Sequence, residues 1–472
     1  MLDVAIIGAY FLAMLFLGWR SRKQSAESYW VAERRYGKAR ITASLVATIF
    51  GASSTLGVIG LGYSRGLTGA WWTLIGGVFL IPFAFLLASR VRKLSVYTLP
   101  DILERAYGEK VAVPAGAMIS VAWCGVIAAQ LIAGGRLLQA LFPMQFQLAL
   151  AIVAVVFTLY TFWGGQLSVI RTDFWQFALF TFGLLVALGF LVGSSVSKPD
   201  FFAQVPQDIF RFPVSKGFGW YEVLVFYPVI VGFPYLVGPD IYSRVLCAHD
   251  DAVARSAAFQ AALIVIPLSF LLAFFGLLAR GHFPGIHPEE AFPRTLNLLV
   301  PGGLRGLIIA GFLGAIMSSA DTCLISASTI FSLNVLRPIS RLKSGGLKTT
   351  KAAVLILGGI AWLVASREQG IISSLLLGYT IFVGGVVFPT LGSFFKERLG
   401  ITSAGALWAI VVGGGSAILG RISGGVVLKT ALTPGGIAFL KAALGPRYLN
   451  MLPVILCVLT LLLVSRATRP PR

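Results

Sequence analysis

The sequence predicts an all-α membrane protein whose chain crosses the bilayer about thirteen times. The first observation is composition, since the 472 residues are 57% hydrophobic and 12% charged, with a mean hydropathy of +0.86. The second is that apolar runs of roughly 20 residues, enough to cross a hydrocarbon core, recur between short polar connections. The third is that basic residues concentrate in alternate connections. A soluble domain of this length would not tolerate so apolar a surface, so lipid is the expected solvent.

The predicted spans are apolar runs that end at charged residues, glycine or proline. Their approximate limits are 2–19, 41–62, 70–89, 113–133, 147–163, 169–193, 220–238, 257–279, 306–328, 350–365, 371–394, 404–419 and 451–464. No small-residue cleavage site follows the first run, so we expect an uncleaved span rather than a signal peptide. Residues 424–444 combine glycine and proline with Lys429 and Lys441. We treat that stretch as a loop, with a re-entrant loop as the alternative.

Lysine and arginine mark the connections that are expected to face the cytoplasm. The second connection holds only Arg65, whereas the first, third and ninth are basic. The first carries Arg20, Arg22, Lys23, Arg34, Arg35, Lys38 and Arg40, the third Arg90, Arg92, Lys93, Arg105 and Lys110, and the ninth Arg337, Arg341, Lys343, Lys348 and Lys351. This alternation predicts a multi-pass plasma-membrane protein with its N-terminus outside and its C-terminus in the cytoplasm. Because the basic residues lie in loops and form no aromatic-interleaved patch, the net charge of +20 does not indicate nucleic acid.

Two predicted spans contain residues that disfavour a continuous helix. The second span holds Phe50-Gly51-Ala52-Ser53-Ser54-Thr55-Leu56-Gly57, and the seventh holds Pro228, Gly232, Pro234, Gly238 and Pro239. Transporters built from inverted repeats bind solute and ions where such helices unwind at mid-membrane. The two interruptions lie five spans apart, which predicts two halves of opposite topology within a single transporter domain, 1–472. We place the first repeat at 41–193 and the second at 219–394, with one helix in 1–40 and two in 403–472 outside them.

Acidic residues within spans are few, and Asp173 and Asp321 are the main candidates for a functional role. Asp173 lies at the start of the sixth span, where it either stabilises a helix N-terminus or takes part in ion transport. Asp321 lies in the ninth span, where it either bonds to a neighbouring helix or binds an ion. The same span contains Ser318 and Ser319 one turn after Ala315. Sodium accepts neutral oxygen ligands, so these hydroxyls could face the carbonyls of a broken helix, although small residues also let helices pack closely.

Four ordered stretches carry a resemblance to a known family. They are Ser25-Ala26-Glu27-Ser28-Tyr29-Trp30-Val31-Ala32; Tyr97-Thr98-Leu99-Pro100-Asp101 with Leu103-Glu104-Arg105 and Tyr107-Gly108; Gly164-Gly165 with Val169, Thr172-Asp173 and Gln176; and Met317-Ser318-Ser319-Ala320-Asp321-Thr322 with Ala327-Ser328-Thr329-Ile330-Phe331. The sequence thereby resembles the sodium:solute symporter family over most of its length. The resemblance implies a leucine-transporter-like core of five plus five inverted helices, in agreement with the two interrupted spans.

The resemblance also implies positions for the ions. The family's sodium site uses carbonyls of the unwound second span together with a carbonyl and two hydroxyls of the ninth. These roles fall on Ala52, Thr55, Ala315, Ser318 and Ser319. Asp173 matches an acidic residue near a second sodium position or an ion exit path. Because family members that use the second position carry another hydroxyl where Ala315 stands here, we expect one sodium ion per cycle.

The resemblance says less about the solute. Ser54 replaces an acidic residue of the proline carriers, Tyr235 and Pro239 match their aromatic residue and proline, and Val231 replaces their tryptophan. Sugar carriers use Glu in the third span and Gln in the eleventh, and neither residue type occurs there. We predict a solute pocket of Ser53, Ser54, Gln130, Tyr235 and Pro239, with an interhelical hydrogen bond as the alternative role of Gln130. With no acid expected in that pocket, a half-helix N-terminus could hold a carboxylate, which favours a small amino acid or organic acid.

Sodium-coupled symport by alternating access is therefore the predicted function. The alternatives are a proton-coupled carrier, with Asp173 as the titrating group, and a solute sensor, which would need a separate signalling partner because no output domain follows Val464. An enzyme is not expected, since no nucleophile, base or metal cluster has suitable spacing. The four cysteines include no CxxC pair and predict neither disulfides nor a metal site. We expect no cofactor beyond Na⁺ as coupling ion, and as partners only Na⁺, a small solute and the lipid bilayer, while the oligomeric state stays open.

Overall fold

A computed structural model describes residues 2–198, 201, 205–340, 346–368, 370–422 and 447–469, without the side chains of residues 422 and 448. The stretch 424–444, predicted to be a loop, lies outside the described residues. Those residues are almost entirely helical, and their β-structure consists of two isolated bridges, Tyr36 with Ala248 and Ser215 with Phe218. The predicted all-α class is confirmed.

The α-helices are numbered here in chain order. They are α1 Leu2–Arg20, α2 Ala26–Val31, α3 Lys38–Ile49, α4 Val58–Arg65, α5 Trp71–Pro82, α6 Ser89–Lys93, α7 Leu99–Tyr107, α8 Glu109–Leu141, α9 Phe146–Val196, α10 Phe233–Val237, α11 Pro239–Val245, α12 Asp251–His282, α13 Ala291–Leu299, α14 Leu304–Ile330, α15 Arg337–Ser340, α16 Gly346–Arg367, α17 Ile371–Phe382, α18 Phe388–Ser393, α19 Lys396–Leu399, α20 Ser403–Ala409, α21 Gly415–Ile422 and α22 Tyr448–Ala467. Turns of π-helix continue several of them, at Ser53–Gly57, Phe83–Ala88, Glu222–Gly232, Phe331–Leu336, Val383–Val387 and Ile410–Gly414. Short 3₁₀ turns occupy Ala32–Arg34, Gly66–Ala70, Gln207–Phe210 and Pro288–Glu290.

Eleven continuous helical stretches among the described residues are long and apolar enough to cross a membrane. They are Leu2–Arg20, Ser53–Lys93, Glu109–Leu141, Phe146–Val196, Glu222–Val245, Asp251–His282, Leu304–Ser340, Gly346–Arg367, Ile371–Ser393, Ser403–Arg421 and Leu449–Ala467. The predicted count of thirteen is not confirmed by this number. The difference arises because Phe146–Val196 contains the fifth and sixth predicted spans, and Ser53–Lys93 contains the third predicted span together with the second half of the second.

Both of these long stretches change direction at glycine-containing turns. Ser53–Lys93 passes through the 3₁₀ turn Gly66–Ala70. Phe146–Val196 contains Gly165, whose φ of 55° and ψ of −169° are not helical. A Cβ atom at position 165 would lie 2.4 Å from Cδ2 of Tyr29, so both the backbone conformation and the close approach require glycine. The Tyr29 hydroxyl donates to the Thr161 carbonyl at 2.9 Å and fixes the α2 segment against this turn.

Helix α14 forms the centre of the molecule. Every residue of α14 from Ile308 to Ile330 is buried, whereas α1 has only five buried residues. It packs against α9, α8, α1 and α3. At its start, Arg305 Nη2 lies 2.6 Å from Asp3 Oδ2, and the backbone N–H groups of Gly303 and Gly306 donate to Asp3 Oδ1. This N-terminal anchoring holds α14 in register with α1, so hydroxyl groups along α14 have fixed positions in the core.

Candidate functional site

The first predicted break is present and separates α3 from the π-helical turn Ser53–Gly57. Helix α3 ends at Ile49, and Phe50 has a non-helical ψ of 47°. The Gln130 side chain of α8 accepts a hydrogen bond from the Ala52 N–H at 2.7 Å, and the Thr55 hydroxyl donates to the Gly51 carbonyl at 2.7 Å. A buried N–H without a partner costs about 1–3 kcal/mol, so Gln130 stabilises the unwound conformation.

Gly51 brings this break into contact with α14. A Cβ atom at position 51 would lie 2.5 Å from the Ser319 Oγ and 2.7 Å from the Gln130 Oε1. Such distances leave no room for a methyl group, so glycine is required by the close approach of the two elements. The broken helix, α8 and α14 therefore meet at one point in the core.

The second predicted break lies at Gly238. The chain runs helically to Val237, Gly238 has an extended ψ of 131°, and α11 begins at Pro239. Pro239 is favourable as a first helical residue because it lacks the N–H that would have no partner there. The break places Asp240 in the first turn of α11.

A narrow cavity lies between the two breaks. Its volume of about 30 Å³ has room for about two water molecules. Its walls come from both broken helices and from α8, α14 and α17, and the side chains and backbone that line it belong to Thr48, Ile49, Gly51, Ser53, Ser54, Val126, Gln130, Pro234, Tyr235, Asp240, Ile241, Ser319, Cys323, Leu375 and Tyr379. The cavity is too small for an organic solute, so in this closed conformation the helices must separate before a solute enters.

Four of the five predicted pocket residues line this cavity, namely Ser53, Ser54, Gln130 and Tyr235. Pro239 lines a smaller neighbouring cavity of about 10 Å³ instead, where its carbonyl accepts a hydrogen bond from Ser326 at 3.5 Å. The Gln130 side chain, on α8, accepts a hydrogen bond from the Ala52 N–H, so the interhelical hydrogen bond expected as its alternative role is present. Gln130 also lines the cavity.

The residues predicted to bind sodium lie on the two elements that meet at Gly51. Ala52 and Thr55 belong to the unwound segment, and the Thr55 hydroxyl also lies 3.4 Å from the Ala52 carbonyl oxygen. Ala315, Ser318 and Ser319 are buried on α14. Ser319 reaches the cavity and the first break, whereas the Ser318 hydroxyl donates to Asp173 Oδ1 at 2.6 Å. In this conformation the two adjacent hydroxyls therefore contact different groups, Asp173 for Ser318 and the first helix break for Ser319.

Asp173 forms a fully buried ion pair that the sequence did not indicate. It lies well inside α9 after the Gly165 turn, so the interpretation as a carboxylate at a helix N-terminus is wrong. Its Oδ2 lies 3.5 Å from Arg244 Nη2, and neither side chain is exposed. Ser44 also donates to Oδ2. The carboxylate therefore connects α3, α9, α11 and α14.

Arg244 extends this network towards the cavity. Its Nε donates to the Thr48 hydroxyl at 3.1 Å, and its Nη2 donates to the Thr322 hydroxyl. Thr322 in turn donates to the Ser318 carbonyl at 2.6 Å. Since Thr48 also lines the cavity, one polar chain runs from the cavity wall to Asp173.

Asp321, the other predicted acid, is buried on the opposite side of α14 from the cavity lining. Its Oδ1 accepts a hydrogen bond from the Thr161 hydroxyl of α9 at 2.7 Å. This is the bond to a neighbouring helix that the sequence allowed as one alternative. Its Oδ2 is buried and has no hydrogen-bond partner among the described residues.

Two charged residues of the site escaped the sequence analysis. Arg244 and Asp240 both follow Gly238, where the predicted seventh span ends, so hydropathy placed them in a loop. The expectation of a pocket without an acid is wrong, because Asp240 lines the cavity. The signal that could have found it is the Gly238-Pro239 pair, since a helix that restarts within the membrane presents its first turn to the space left by the break.

The family model described as "Sodium:solute symporter family" matches residues 29–413. The sodium/myo-inositol cotransporter 2 of Oryctolagus cuniculus is 25% identical over 87% of this chain and 68% of its own length. The sodium/glucose cotransporter 4 of Homo sapiens is 24% identical over 89% of this chain and 69% of its own.

Among solved structures, a Na⁺-coupled sialic acid symporter in a substrate-bound, outward-open state has a TM-score of 0.77 and 19% identity. The match covers 100% of this chain and 99% of that one. At this level of identity the likeness establishes the fold, and the predicted inverted-repeat, leucine-transporter-like architecture is confirmed.

Proposed function

The chain belongs to the sodium:solute symporter family, and from that premise we propose that it carries a small organic solute by binding one sodium ion between the first helix break and α14. Membership makes it a multi-pass membrane transporter rather than an enzyme. The observation that carries the proposed ion site is the contact at Gly51, where the unwound segment and the Ser319 hydroxyl approach each other too closely for a Cβ atom.

The proposed ligands are the backbone carbonyls of Ala52, Thr55 and Ala315 and the side-chain hydroxyls of Ser318 and Ser319. All five are uncharged, and oxygen is the ligand that a hard monovalent cation prefers. A site of neutral oxygens holds sodium less tightly than one with a carboxylate. Moderate affinity suits a carrier, because the ion must leave again on the other side of the membrane.

Coupling follows from where the ion sits. Sodium bound between the unwound segment and α14 fastens two elements that must separate in part of the transport cycle. The ion therefore favours whichever conformation keeps its ligands together. Because Ser319 also lines the solute cavity, the same conformational change alters the shape of the cavity. In thermodynamic terms, coupling is the difference in sodium affinity between the two conformations.

We propose that Asp173 lies on the ion exit path. Ser318 links the proposed sodium site directly to the Asp173 carboxylate at 2.6 Å. Arg244 neutralises that carboxylate in the closed structure. When α14 moves, Ser318 and Asp173 are the polar groups next to a departing ion, while the guanidinium limits how long the ion stays.

The proposal extends to topology. Residues 41–193 and 219–394 form the two repeats, with 1–40 and 403–472 outside them, the N-terminus outside the cell and the C-terminus in the cytoplasm. The alternation of basic connections supports this arrangement.

The solute class proposed from the sequence is a small amino acid or organic acid. The names of the curated relatives, which concern myo-inositol and glucose, point instead to polyols and sugars. Identities near 25% do not decide between these classes, and the third and eleventh spans lack the Glu and Gln of sugar carriers.

Thermal stability in detergent tests the proposed sodium site without knowledge of the solute. A ligand that binds only the folded state raises its stability, by about 2.7 kcal/mol at a hundredfold excess over Kd. NaCl should raise the melting temperature above that in KCl at equal ionic strength, and Ser319→Ala should remove the difference. An equal rise in both salts, or a sodium effect that survives in Ser319→Ala, would contradict the site.

A further inference from the structure

The cavity between the two helix breaks holds one charged group. Among the described residues that line it, Asp240 alone carries a formal charge. The remaining polar groups are hydroxyls of serine, threonine and tyrosine, one thiol and the Gln130 amide. An ionised Asp240 therefore gives the cavity a net charge of one negative unit.

The Asp240 carboxylate accepts hydrogen bonds from the backbone N–H groups of Asp240 and Ile241, and the positive charge of Arg244 acts on it without a direct contact. None of the ion pairs among the described residues includes Asp240. Arg244 lies one turn further along α11, but its guanidinium is fully buried next to Asp173 and donates to Thr48 and Thr322. A partly buried carboxylate that faces a cavity and has no directly paired cation is a favourable partner for a cation from outside the protein.

Two aromatic residues that line the same cavity favour a solute with a cationic nitrogen over one that offers only a neutral hydroxyl group. Tyr235 of α10 and Tyr379 of α17 both line the cavity beside Asp240. Aromatic faces attract ammonium groups, most strongly where water is excluded. A carboxylate and two tyrosine rings together form a suitable environment for a protonated amine or a quaternary ammonium group.

We propose that Asp240 binds a positively charged nitrogen of the transported solute. This inference rests on the proposed function, since it names the solute class of that same symporter. It divides the two solute classes expected from the sequence, because an amino acid or another nitrogen cation satisfies Asp240, whereas a simple organic acid is repelled. Like charges placed together in such a site cost several kcal/mol.

The test uses the full chain in proteoliposomes with an inward sodium gradient and five labelled probes. L-alanine, choline and glycine betaine carry a cationic nitrogen, pyruvate is only anionic, and myo-inositol is neutral. We expect accumulation of at least one of the first three and of neither of the last two. Asp240→Asn should raise the KM of the accepted probe about tenfold or more. Glu397→Gln, at an exposed acid on α19 that does not line the cavity, should leave the KM unchanged.

A readout on the wild-type protein covers the case in which Asp240→Asn does not fold. At fixed sodium, an accepted nitrogen cation should raise the melting temperature, and pyruvate and myo-inositol should not. Absence of any shift and of any accumulation across the five probes overturns the inference.

The remaining outcomes separate the inference from the proposed function. Sodium-driven accumulation of pyruvate or myo-inositol in preference to the nitrogen cations overturns the inference and leaves the symporter intact. An unchanged solute KM in Asp240→Asn with an altered sodium half-saturation assigns Asp240 to the ion and also overturns it. Uptake of a nitrogen cation that ignores sodium but needs Asp240 supports the inference and contradicts the proposed coupling.

Discussion

The Ser318 hydroxyl of α14 donates a 2.6 Å hydrogen bond to the Asp173 carboxylate of α9, at the point where a proposed sodium ligand meets a buried ion pair. The adjacent Ser319 faces the solute cavity and the first helix break. Two neighbouring hydroxyls on one helix thus join the cavity to the polar network around Arg244. In the proposed mechanism, α14 is the element through which the ion and the solute affect each other.

Removal of both hydroxyls should abolish sodium-dependent uptake. The double variant Ser318→Ala/Ser319→Ala deletes two of the five proposed ligands while retaining a helix-favouring residue at each position. Uptake into proteoliposomes measures the loss, and size-exclusion chromatography checks that the protein is folded. Ser328→Ala is the matched control, because the buried Ser328 hydroxyl lies on the same helix and has no hydrogen-bond partner among the described residues. Wild-type uptake by the double variant would contradict the site.

Substitutions of the two residues of the buried ion pair, Asp173 and Arg244, should have non-additive effects on stability. Asp173→Asn leaves the Arg244 guanidinium without its counterion in an environment that excludes water. We expect the free energy of unfolding to fall by about 3–5 kcal/mol. Arg244→Gln should cost a similar amount because it leaves the carboxylate unpaired. The double variant should lose less than the sum of the two, as a thermal-denaturation cycle would measure. Strictly additive losses would show that the pair is not an interacting unit.

Gly51→Ala should disrupt transport more than a typical glycine substitution. The added methyl group would lie 2.5 Å from the Ser319 Oγ, so the break and α14 must move apart. We expect uptake to fall at least tenfold and the sodium effect on melting temperature to shrink. Gly189→Ala on α9 is the control, since a Cβ atom there meets nothing within 4 Å and alanine favours the helix. Equal activity of both variants would argue against the close contact.

The proposed orientation can be tested by cysteine labelling. The four natural cysteines are buried, so their background reaction should be small. Lys216→Cys and Glu397→Cys both replace exposed residues, in connections expected outside and in the cytoplasm respectively. A membrane-impermeant maleimide should label the first in intact cells and the second only after permeabilisation. The reverse pattern would mean that the chain has the opposite orientation.

The sequence identified the helix breaks because their causes are local. Gly51 lies in a run of small and hydroxyl residues, and Gly238 stands between two prolines, so neither segment favours a continuous helix. Both breaks occur where predicted. The number of spans was harder to predict. The turns at Gly66–Ala70 and Gly165 are so short that the helices before and after each of them form one continuous helical stretch.

The charged residues of the site depend on contacts between distant parts of the chain. Hydropathy assigned Arg244 to a loop because it follows Gly238 and Pro239, yet the side chain is fully buried against Asp173. Asp240 was missed for the same reason. A charge that is paired or faces a cavity has the same sequence signature as one in solvent, so three-dimensional structure was needed to distinguish them.

The central claim is sodium-driven solute accumulation, and uptake by the purified protein in liposomes tests it most directly. Labelled amino acids, organic acids and sugars are offered with an inward sodium gradient, with an inward proton gradient, and with neither. We predict that one solute accumulates above equilibrium only with the sodium gradient, and that a sodium ionophore abolishes this accumulation. Accumulation that follows the proton gradient and ignores sodium would contradict the claim while leaving the fold unchanged.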